Sequence, residues 1–590
     1  MERRYSLGNE AIAHAALEAG ADLVAGYPGT PSSEVIDILR VQKDRELHVE
    51  WSVNEKVAFE NALAAAWCGQ RALATMKHVG LNVAADPLMT SAYTGVTGGF
   101  VIMSADDPFA HSSQNEQDSR CYAKFAQLPC LDPASVQEAH DMLIDAFALS
   151  ESLGIPVIFR PTTRICHSRS DVTFGPVSSD HRKGEFRRDP RQYVVIPAHT
   201  RILHKKLDEK QPLVVKAIAD RGYNRAEIRG KTAVVAGGIA AAYVQEYLPP
   251  SVSFVKIGAY PIDPSWLKDV IRKHDRVLVF EEGDPIIEEQ VLQVAGTVTV
   301  WGKKTGSVPL EGEFSPAVVA SILAKEGLIP QDAVPVPGKS VPDLPPRPPI
   351  LCAGCMHRAT FHAMKRVFRD GIFPSDIGCY TLGLQLGAVD TTICMGASLT
   401  VGSGISHSGE PRDVVCTIGD STFLHTGIPG LMNAVYNGAR MTVVILDNRI
   451  TAMTGHQPNP GTGETATGEP SPPVSLEAIC RACGVTFVET ISPHDLPTML
   501  DVMKRAKATD GVKVIIARQT CVITARKAGI RRGVYAVDPE VCTGCETCVK
   551  FGCPAIEFRD EKAVITGLCS GCGICAQICP SGAIGKEVKR

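Results

Sequence analysis

Apolar and polar positions along the chain alternate between short strands and amphipathic helices. In the first hundred residues the pattern predicts helices over Gly8–Ala19 and Asn54–Trp67 and strands over Asp22–Gly26 and His48–Trp51. Strands and helices that alternate at this pitch are typical of a parallel, doubly wound sheet. The same pattern returns after Thr232 and again beyond residue 349. The sequence therefore predicts an α/β multidomain protein with parallel sheets.

A proline-rich segment marks the clearest domain boundary. Between Pro330 and Pro349, 8 of 20 residues are proline, which excludes a helix or a central strand and predicts an extended linker. A chain of 590 residues has room for three to five domains of about 100–200 residues each. We predict α/β domains at 1–190, 191–329 (with a connector) and 350–530, the linker at 330–349, and a cysteine-rich α+β domain at 531–590.

Composition and charge exclude several classes of protein. The net charge of −4 provides no positive field for nucleic acid, and no run of 18 or more apolar residues predicts a membrane span. The first residues lack a secretory signal pattern, so we expect a cytoplasmic protein. Its 20 cysteines are then more plausible as metal ligands or thiols than as disulfides.

Eight cysteines in the last 50 residues form two similar groups. Their spacing is CxxCxxCx4CP followed by CxxCxxCx3CP. In such pairs the first three thiolates of a group hold one 4Fe-4S cluster, and the fourth reaches the other cluster. This predicts one cluster on Cys542, Cys545, Cys548 and Cys579, and a second on Cys569, Cys572, Cys575 and Cys553. Zinc is a poor alternative, because zinc sites favour two pairs of ligands. The segment resembles bacterial two-cluster ferredoxins, with one extra residue before Cys553.

A second candidate site follows two apolar strands of the third domain. Asp420 and Asn448 each come just after a strand, at Val414–Ile418 and Thr442–Leu446. Parallel neighbours end at the same edge of a sheet, where open α/β sheets bind ligands. A carboxylate and an amide oxygen suit Mg²⁺ that carries a diphosphate, and Gly419 permits a close approach.

The spacing of these residues resembles the thiamine-diphosphate motif. In that motif the Asp and Asn side chains and the carbonyl two residues on, here Ile450, hold the metal. Ser421 stands where the general motif has glycine. Taken without this resemblance, an Asp and Asn at strand ends are more often structural than functional.

Three features together resemble the thiamine-diphosphate-dependent 2-oxoacid:ferredoxin oxidoreductase superfamily. They are YPGTPSSE at 27–34 with Glu55, CAGCMHR at 352–358 with the Asp420/Asn448 region, and the two-cluster tail. Their order is similar to that of the large (alpha) subunit of indolepyruvate:ferredoxin oxidoreductases over nearly the whole chain. The resemblance implies a pyrimidine-binding domain, a transketolase-C-terminal-like domain, a diphosphate-binding domain and the ferredoxin domain.

The resemblance also implies an activity and partners. Arylpyruvates, CoA and oxidised ferredoxin would give aryl-acetyl-CoA, CO₂ and reduced ferredoxin, with a smaller beta subunit in a heterodimer or α2β2 complex. Glu55 would protonate the pyrimidine ring of thiamine diphosphate, Thr30 would face the substrate, and Arg120 would pair with the substrate carboxylate. Two alternatives stay open: a different 2-oxoacid such as pyruvate, 2-oxoglutarate or a branched-chain acid, or an electron-transfer subunit with a vestigial thiamine site.

Four further cysteines resemble the ligands of a third cluster that lies next to the thiamine in relatives: Cys352, Cys355, Cys379 and Cys521. The alternative is that some of them are buried free thiols, because free cysteine is among the most buried residue types.

Overall fold

The computed structural model describes residues 2–42, 46–335, 344–345, 347–530 and 532–586. The chain forms two compact units, one within Met1–Asp343 and the other within Leu344–Arg590. Part of the predicted proline-rich linker, residues 336–343 and 346, lies outside the described residues. Among the residues that the structure describes, none of the helices combines the length and apolar character that crossing a bilayer requires.

The first unit contains two mainly parallel sheets and one short antiparallel pair. Its strands are β1 (Glu2–Leu7), β2 (Leu23–Gly26), β3 (His48–Trp51), β4 (Ala72–Lys77), β5 (Phe100–Ala105), β6 (Cys130–Leu131), β7 (Val157–Phe159), β8 (Arg169–Phe174), β9 (Arg225–Glu227), β10 (Thr232–Gly237), β11 (Ser253–Ile257), β12 (Ala259–Tyr260), β13 (Arg276–Phe280) and β14 (Thr299–Trp301). Its helices are α1 (Gly8–Glu18), α2 (Ser33–Leu39), α3 (Glu55–Trp67), α4 (His78–Val83), α5 (Ala85–Thr94), α6 (Ser119–Ala126), α7 (Val136–Leu153), α8 (Thr163–His167), α9 (Pro190–Tyr193), α10 (Pro197–Arg221), α11 (Gly238–Tyr247), α12 (Pro264–Ile271), α13 (Ile286–Ala295) and α14 (Pro316–Lys325).

The larger sheet has seven strands in the order β12-β6-β7-β5-β4-β2-β3, and the smaller has five in the order β14-β13-β10-β11-β9. Every residue of β5 is buried, as expected of a central strand with both faces covered. The edge strand β12 pairs antiparallel with β6, although it follows β11 of the smaller sheet in sequence. The larger sheet is thus completed by residues from the region predicted as a separate domain.

The second unit contains a four-stranded parallel sheet and two short antiparallel pairs. Its strands are β15 (Val415–Gly419), β16 (Met441–Asp447), β17 (Phe487–Ile491), β18 (Val512–Arg518), β19 (Tyr535–Val537), β20 (Ile556–Arg559), β21 (Lys562–Ile565) and β22 (Ile584–Lys586). Its helices are α15 (Met356–Val367), α16 (Ala397–His407), α17 (Asp420–Thr422), α18 (Ile428–Tyr436), α19 (Leu476–Ala482), α20 (Leu496–Lys507), α21 (Val522–Lys527), α22 (Thr547–Lys550) and α23 (Ile574–Ile578).

The parallel sheet has the order β15-β16-β18-β17. All seven residues of β16 are buried, and the two short pairs, β19 with β22 and β20 with β21, belong to the cysteine-rich tail. The predicted combination of parallel α/β sheets and an α+β tail is therefore confirmed.

Candidate active site and electron path

Asp420 and Asn448 follow neighbouring strands of the second unit. β15 and β16 pair in parallel, with Gly419 opposite Leu446. Asp420 comes directly after β15 and Asn448 directly after β16, and their exposed fractions are only 4% and 7%. The structure thus places both predicted metal ligands at the same edge of one sheet, buried from solvent.

The Asp420 carboxylate lies in an environment that opposes its negative charge. Burial and the nearby charge of Asp447 raise the pKa of Asp420 to about 7. The Asn459 side chain acts in the other direction, because its Nδ2 donates to Asp420 Oδ2 at 3.0 Å. A bound divalent cation would compensate the buried charge, so this carboxylate fits the predicted Mg²⁺ site.

A tight turn fixes the second predicted ligand. The backbone N–H of Ile450 donates to Asn448 Oδ1 at 3.0 Å, and Arg449 between them adopts a left-handed conformation with φ of 62°. Thr451 Oγ1 donates to Ser421 Oγ at 2.9 Å. This hydrogen bond joins the turn after β16 to the residues that follow β15, so the two halves of the predicted motif are held together.

Gly419 makes room for a side chain of the protein. A Cβ at this position would lie 2.6 Å from Tyr380 Cε1. The Tyr380 hydroxyl donates to the carbonyl of Ile377 at 2.7 Å and lies 2.8 Å from Thr422 Oγ1. The close approach that the sequence predicted for a diphosphate is made in this structure by an aromatic ring.

Asn459 is a site residue that the sequence did not reveal. It lies 39 residues beyond Asp420 in a loop rich in glycine and proline, and its exposed fraction is 7%. Its own Oδ1 accepts from the backbone N–H of Gly461, which orients the amide so that its donor points to Asp420. No local pattern distinguishes this asparagine from a solvent-exposed turn residue.

In the first unit, Glu55 is a buried carboxyl at the start of α3. Asn54 caps the helix, accepting from the backbone N–H of Val57 at 2.9 Å. The exposed fraction of Glu55 is 6%, and a Cβ added to Gly80 would lie 2.6 Å from its Oε1. Gly80 therefore provides the space in which the Glu55 carboxyl lies. Thr30 is partly exposed in the loop between β2 and α2.

Lys77, the last residue of β4, is a second residue that the sequence analysis missed. Its side chain passes Gly29 of the YPGT loop, where an added Cβ would lie 3.3 Å from Lys77 Cγ. The ammonium donates to the carbonyl of Ser112 at 2.9 Å. Burial lowers the pKa of Lys77 to about 8, opposed by the charges of Asp107 and Glu55. The sequence does contain a signal for this residue, because Lys77 is the one charged residue of a buried strand.

Arg120 does not have the environment expected for a substrate ligand. Its exposed fraction is 2%, and its donors reach Asp118, Glu281, the Tyr260 hydroxyl and the carbonyls of Glu282 and Asp284. These partners use all five N–H groups of the guanidinium. The prediction that Arg120 pairs with the substrate carboxylate is therefore corrected: this geometry gives it a structural role.

The eight tail cysteines surround two separate cavities. One is lined by Cys542, Cys545, Cys548 and Cys579. The other is lined by Cys553, Cys569, Cys572 and Cys575. Each cavity is thus lined by the four cysteines that the spacing predicts for one cluster. Three of them come from one group in the sequence, and the fourth comes from the other group. Within the described residues, no three His, Cys, Asp or Glu side chains converge closely enough to hold a single metal ion. A cubane needs its thiolates farther apart.

The four remaining candidate cysteines lie near one another. Burial, then the neighbouring Cys379 and Cys352, raise the pKa of Cys355 to about 12. Burial, then Cys521 and Cys352, raise the pKa of Cys379 to about 11. Thiols that perturb one another in this way form one group, as a cluster site requires. The raised pKa values favour the neutral thiols of Cys355 and Cys379, and a bound metal centre would favour their thiolates.

This group connects the strand-end site to the tail. The backbone N–H of Cys521 donates to the carbonyl of Asn448 at 3.0 Å. On the other side, a Cβ added to Gly354 of the CAGC loop would lie 1.8 Å from Ser570 Oγ and 3.6 Å from Cys572 Cβ. Gly354 also lines the second tail cavity. One of the four cysteines thus contacts a predicted metal ligand, and the loop that carries Cys352 and Cys355 contacts the tail.

Comparison with known proteins agrees with this arrangement. Residues 14–227 match the family described as pyruvate flavodoxin/ferredoxin oxidoreductase, thiamine diphosphate-binding. Residues 376–517 match the C-terminal TPP-binding domain of thiamine pyrophosphate enzymes, and residues 562–585 match the 4Fe-4S binding domain. The chain thus carries thiamine-diphosphate-binding domains and a 4Fe-4S domain.

Curated relatives match almost the whole chain. The indolepyruvate oxidoreductase subunit IorA of Archaeoglobus fulgidus is 45% identical over 99% of this chain and 97% of its own length. The IorA subunit of Pyrococcus abyssi is 42% identical over 99% of this chain and 97% of its own length. That of Methanothermobacter thermautotrophicus is also 42% identical, over 100% of this chain and 98% of its own length. The chain belongs to the indolepyruvate oxidoreductase subunit IorA family, within the thiamine-diphosphate-dependent 2-oxoacid:ferredoxin oxidoreductases.

Proposed function

We propose that this chain is the large subunit of an enzyme that oxidatively decarboxylates arylpyruvates with CoA, giving aryl-acetyl-CoA, CO₂ and reduced ferredoxin. The observation that carries the proposal is a contact at each end of the proposed route: the backbone N–H of Cys521 donates to the carbonyl of Asn448, and Gly354 of the CAGC loop lies against Ser570 and lines the second tail cavity. An enzyme whose electrons leave singly needs such a route. A hydride-transferring enzyme does not.

Asp420, Asn448 and the carbonyl of Ile450 would hold Mg²⁺ and, through it, the diphosphate of the cofactor. Bound thiamine diphosphate supplies the electron-accepting centre at which the 2-oxoacid loses CO₂. Asn459 orients the Asp420 carboxylate and favours its ionised form, while the hydrogen bond between Thr451 and Ser421 fixes the turn. We assign Glu55 the proton exchange with the cofactor's pyrimidine ring, which its buried position at the start of α3 supports.

Recognition of the substrate carboxylate needs a cation that Arg120 does not provide. Lys77 supports this role better, because the residue is half-buried and its side chain passes the YPGT loop beside Gly29. Thr30 belongs to the same loop and remains the candidate hydroxyl that faces the substrate. Lys77 would pair with the substrate carboxylate before decarboxylation. Loss of CO₂ removes that carboxylate, so the ion pair would hold the substrate and not the product.

We further propose that Cys352, Cys355, Cys379 and Cys521 hold a third 4Fe-4S cluster. Electrons would pass from it to the cluster on Cys553, Cys569, Cys572 and Cys575, whose cavity the CAGC loop contacts. The cluster on Cys542, Cys545, Cys548 and Cys579 would then be the exit to ferredoxin. Cys545 is exposed, as a ligand at an exit site should be.

A smaller beta subunit would complete the enzyme, as the designation of the relatives as subunits suggests. Their shared name supports indolepyruvate and similar arylpyruvates as substrates. To test this, both subunits would be purified together without oxygen and assayed for CoA-dependent viologen reduction. Indolepyruvate and phenylpyruvate should give a higher kcat/KM than pyruvate or 2-oxoglutarate, and a preference for pyruvate would refute the aryl assignment.

Binding of thiamine diphosphate and Mg²⁺ tests the alternative of a vestigial thiamine site. Failure of the purified complex to bind both would show an electron-transfer subunit. Iron analysis tests the third cluster: three clusters correspond to about 12 Fe per chain, and the two tail clusters alone to about 8.

A further inference from the structure

Arg358 lies where two cysteine sites meet in the second unit. It is on the first turn of α15, three residues after Cys355, and its exposed fraction is 3%. Its Nη1 donates to the carbonyl of Gly552 and its Nη2 to the carbonyl of Leu351, both at 2.6 Å. Those carbonyls immediately precede Cys553 of the second tail group and Cys352 of the CAGC loop. One guanidinium therefore bonds the backbone beside a cysteine of each site.

The Nε–H of Arg358 has no hydrogen-bond partner among the residues that the structure describes. This nitrogen is buried. A buried, charged donor left unsatisfied is costly, so the arrangement calls for an acceptor that the polypeptide does not supply. Burial lowers the pKa of Arg358, and four thiols from the two sites, those of Cys553, Cys355, Cys352 and Cys572, act in the opposite direction and favour its positive charge.

The two loops that carry these cysteines both lie close to Arg358 or to each other. Gly552 has a φ of 75°, which favours glycine, and a Cβ there would make an ordinary van der Waals contact of 3.5 Å with Arg358 Nη1. On the other side of the contact, Gly354 has a φ of 74° and leaves space for Ser570. The two loops thus approach each other closely around one buried cation.

We propose that Arg358 is a positioning residue that couples the third cluster to the second tail cluster, donating its Nε–H to cluster sulfur and raising the reduction potentials of both. The proposal rests on the third cluster of the proposed function. A cluster gains one negative charge when it accepts an electron. A cation held beside it in a buried, low-dielectric environment therefore favours the reduced form.

A purely structural role would need only the two bonds to the backbone carbonyls. The electrostatic role also needs the positive charge, so variants that keep or remove the charge distinguish the electrostatic role from the structural role. Arg358→Lys keeps the charge and loses the planar set of donors, whereas Arg358→Gln loses the charge and keeps a donor amide. Arg366→Gln is the matched control, because Arg366 is an exposed arginine on the same helix.

The test is a redox titration of the complete enzyme complex, without substrate, followed by electron paramagnetic resonance. In Arg358→Gln the potentials of the third cluster and of the cluster on Cys553 should both shift to more negative values. Arg358→Lys should retain most of the wild-type potential, and Arg366→Gln should match wild type. The proposal is overturned if Arg358→Gln, with full iron content, has wild-type potentials, or if Arg358→Lys shifts as far as Arg358→Gln.

Iron content keeps the result interpretable. If Arg358→Gln loses iron, Arg358→Lys decides: near wild-type potentials support the proposal, and a large shift overturns it. About 8 Fe per chain in the wild type would refute the third cluster of the proposed function. The potential of the tail cluster would then still test Arg358, so the two failures are distinguishable.

Discussion

The strongest single test of the strand-end metal site is the replacement of Asn459 by alanine. Among the described residues, Asn459 hydrogen-bonds the predicted metal ligands through Asp420 alone, to which its amide donates at 3.0 Å, and both residues are buried. Its loss would remove this stabilisation of the ionised carboxylate, so the pKa of Asp420 should rise above the present value of about 7. Mg²⁺ would have to displace a proton more often, so cofactor binding should weaken.

The size of the effect follows from the kind of hydrogen bond. A hydrogen bond to a charged group contributes about 1.5–3 kcal/mol, which corresponds to about 10- to 100-fold in affinity. Partners of metal ligands typically have effects of the same size. The loss should be larger at pH 6.5 than at pH 8, because protonation of Asp420 competes with the metal only as pH falls towards its pKa and below.

The assay is a Mg²⁺ titration of the cofactor-free complex at fixed thiamine diphosphate, with binding followed by calorimetry. Asn437→Ala provides the control, since Asn437 is an exposed asparagine at the end of α18 whose amide bonds only to Asn433. Half-saturating Mg²⁺ in Asn459→Ala within twofold of wild type at both pH values would refute the reasoning.

Three further predictions concern the tail, the substrate and the loop contact. Cys553→Ser should lower iron by up to about four atoms per chain, since one cluster loses a ligand, whereas Cys483→Ser should not change the iron content. Lys77→Met should lower kcat/KM for the 2-oxoacid by about 10- to 100-fold, because a charged partner of the carboxylate is lost. In the wild type, kcat/KM should fall as pH rises through about 8, where Lys77 loses its proton, and a flat profile would contradict the assignment. Gly354→Ala introduces a Cβ 1.8 Å from a serine hydroxyl and should slow reduction of the tail clusters in a single turnover, whereas Gly529→Ala, with the same φ of 74° but open space around it, should not. Equal rates in both glycine variants would argue against the loop contact as the electron route.

The features predicted well from the sequence are those with local causes. The predicted strand Thr442–Leu446 is found as Met441–Asp447, because a run of β-branched and apolar residues is buried on both faces of the sheet. The two predicted groups of cysteines line two separate cavities, and their spacing is the one expected when short turns wrap each cluster.

The features that were missed depend on contacts between distant residues. β1 has a mostly polar sequence and is a strand only because it pairs with β8, more than 160 residues later. Arg120 follows a polar segment that suggested an accessible side chain, yet its partner Glu281 lies 161 residues away. Neither pairing leaves a periodic pattern near the residue itself, so no reading of local sequence could have found it.

The position of β12 as the edge strand of the larger sheet has a consequence for how the first unit folds. β12 brings Tyr260 beside Cys130, and the buried Arg120 bonds to both Tyr260 and Glu281 from the later part of the chain. Separating the two sheets would leave an edge strand without its partner and several charges buried without compensation. The unit should therefore unfold in one cooperative transition. Residues 1–190 expressed alone would lack the groups that complete their own core.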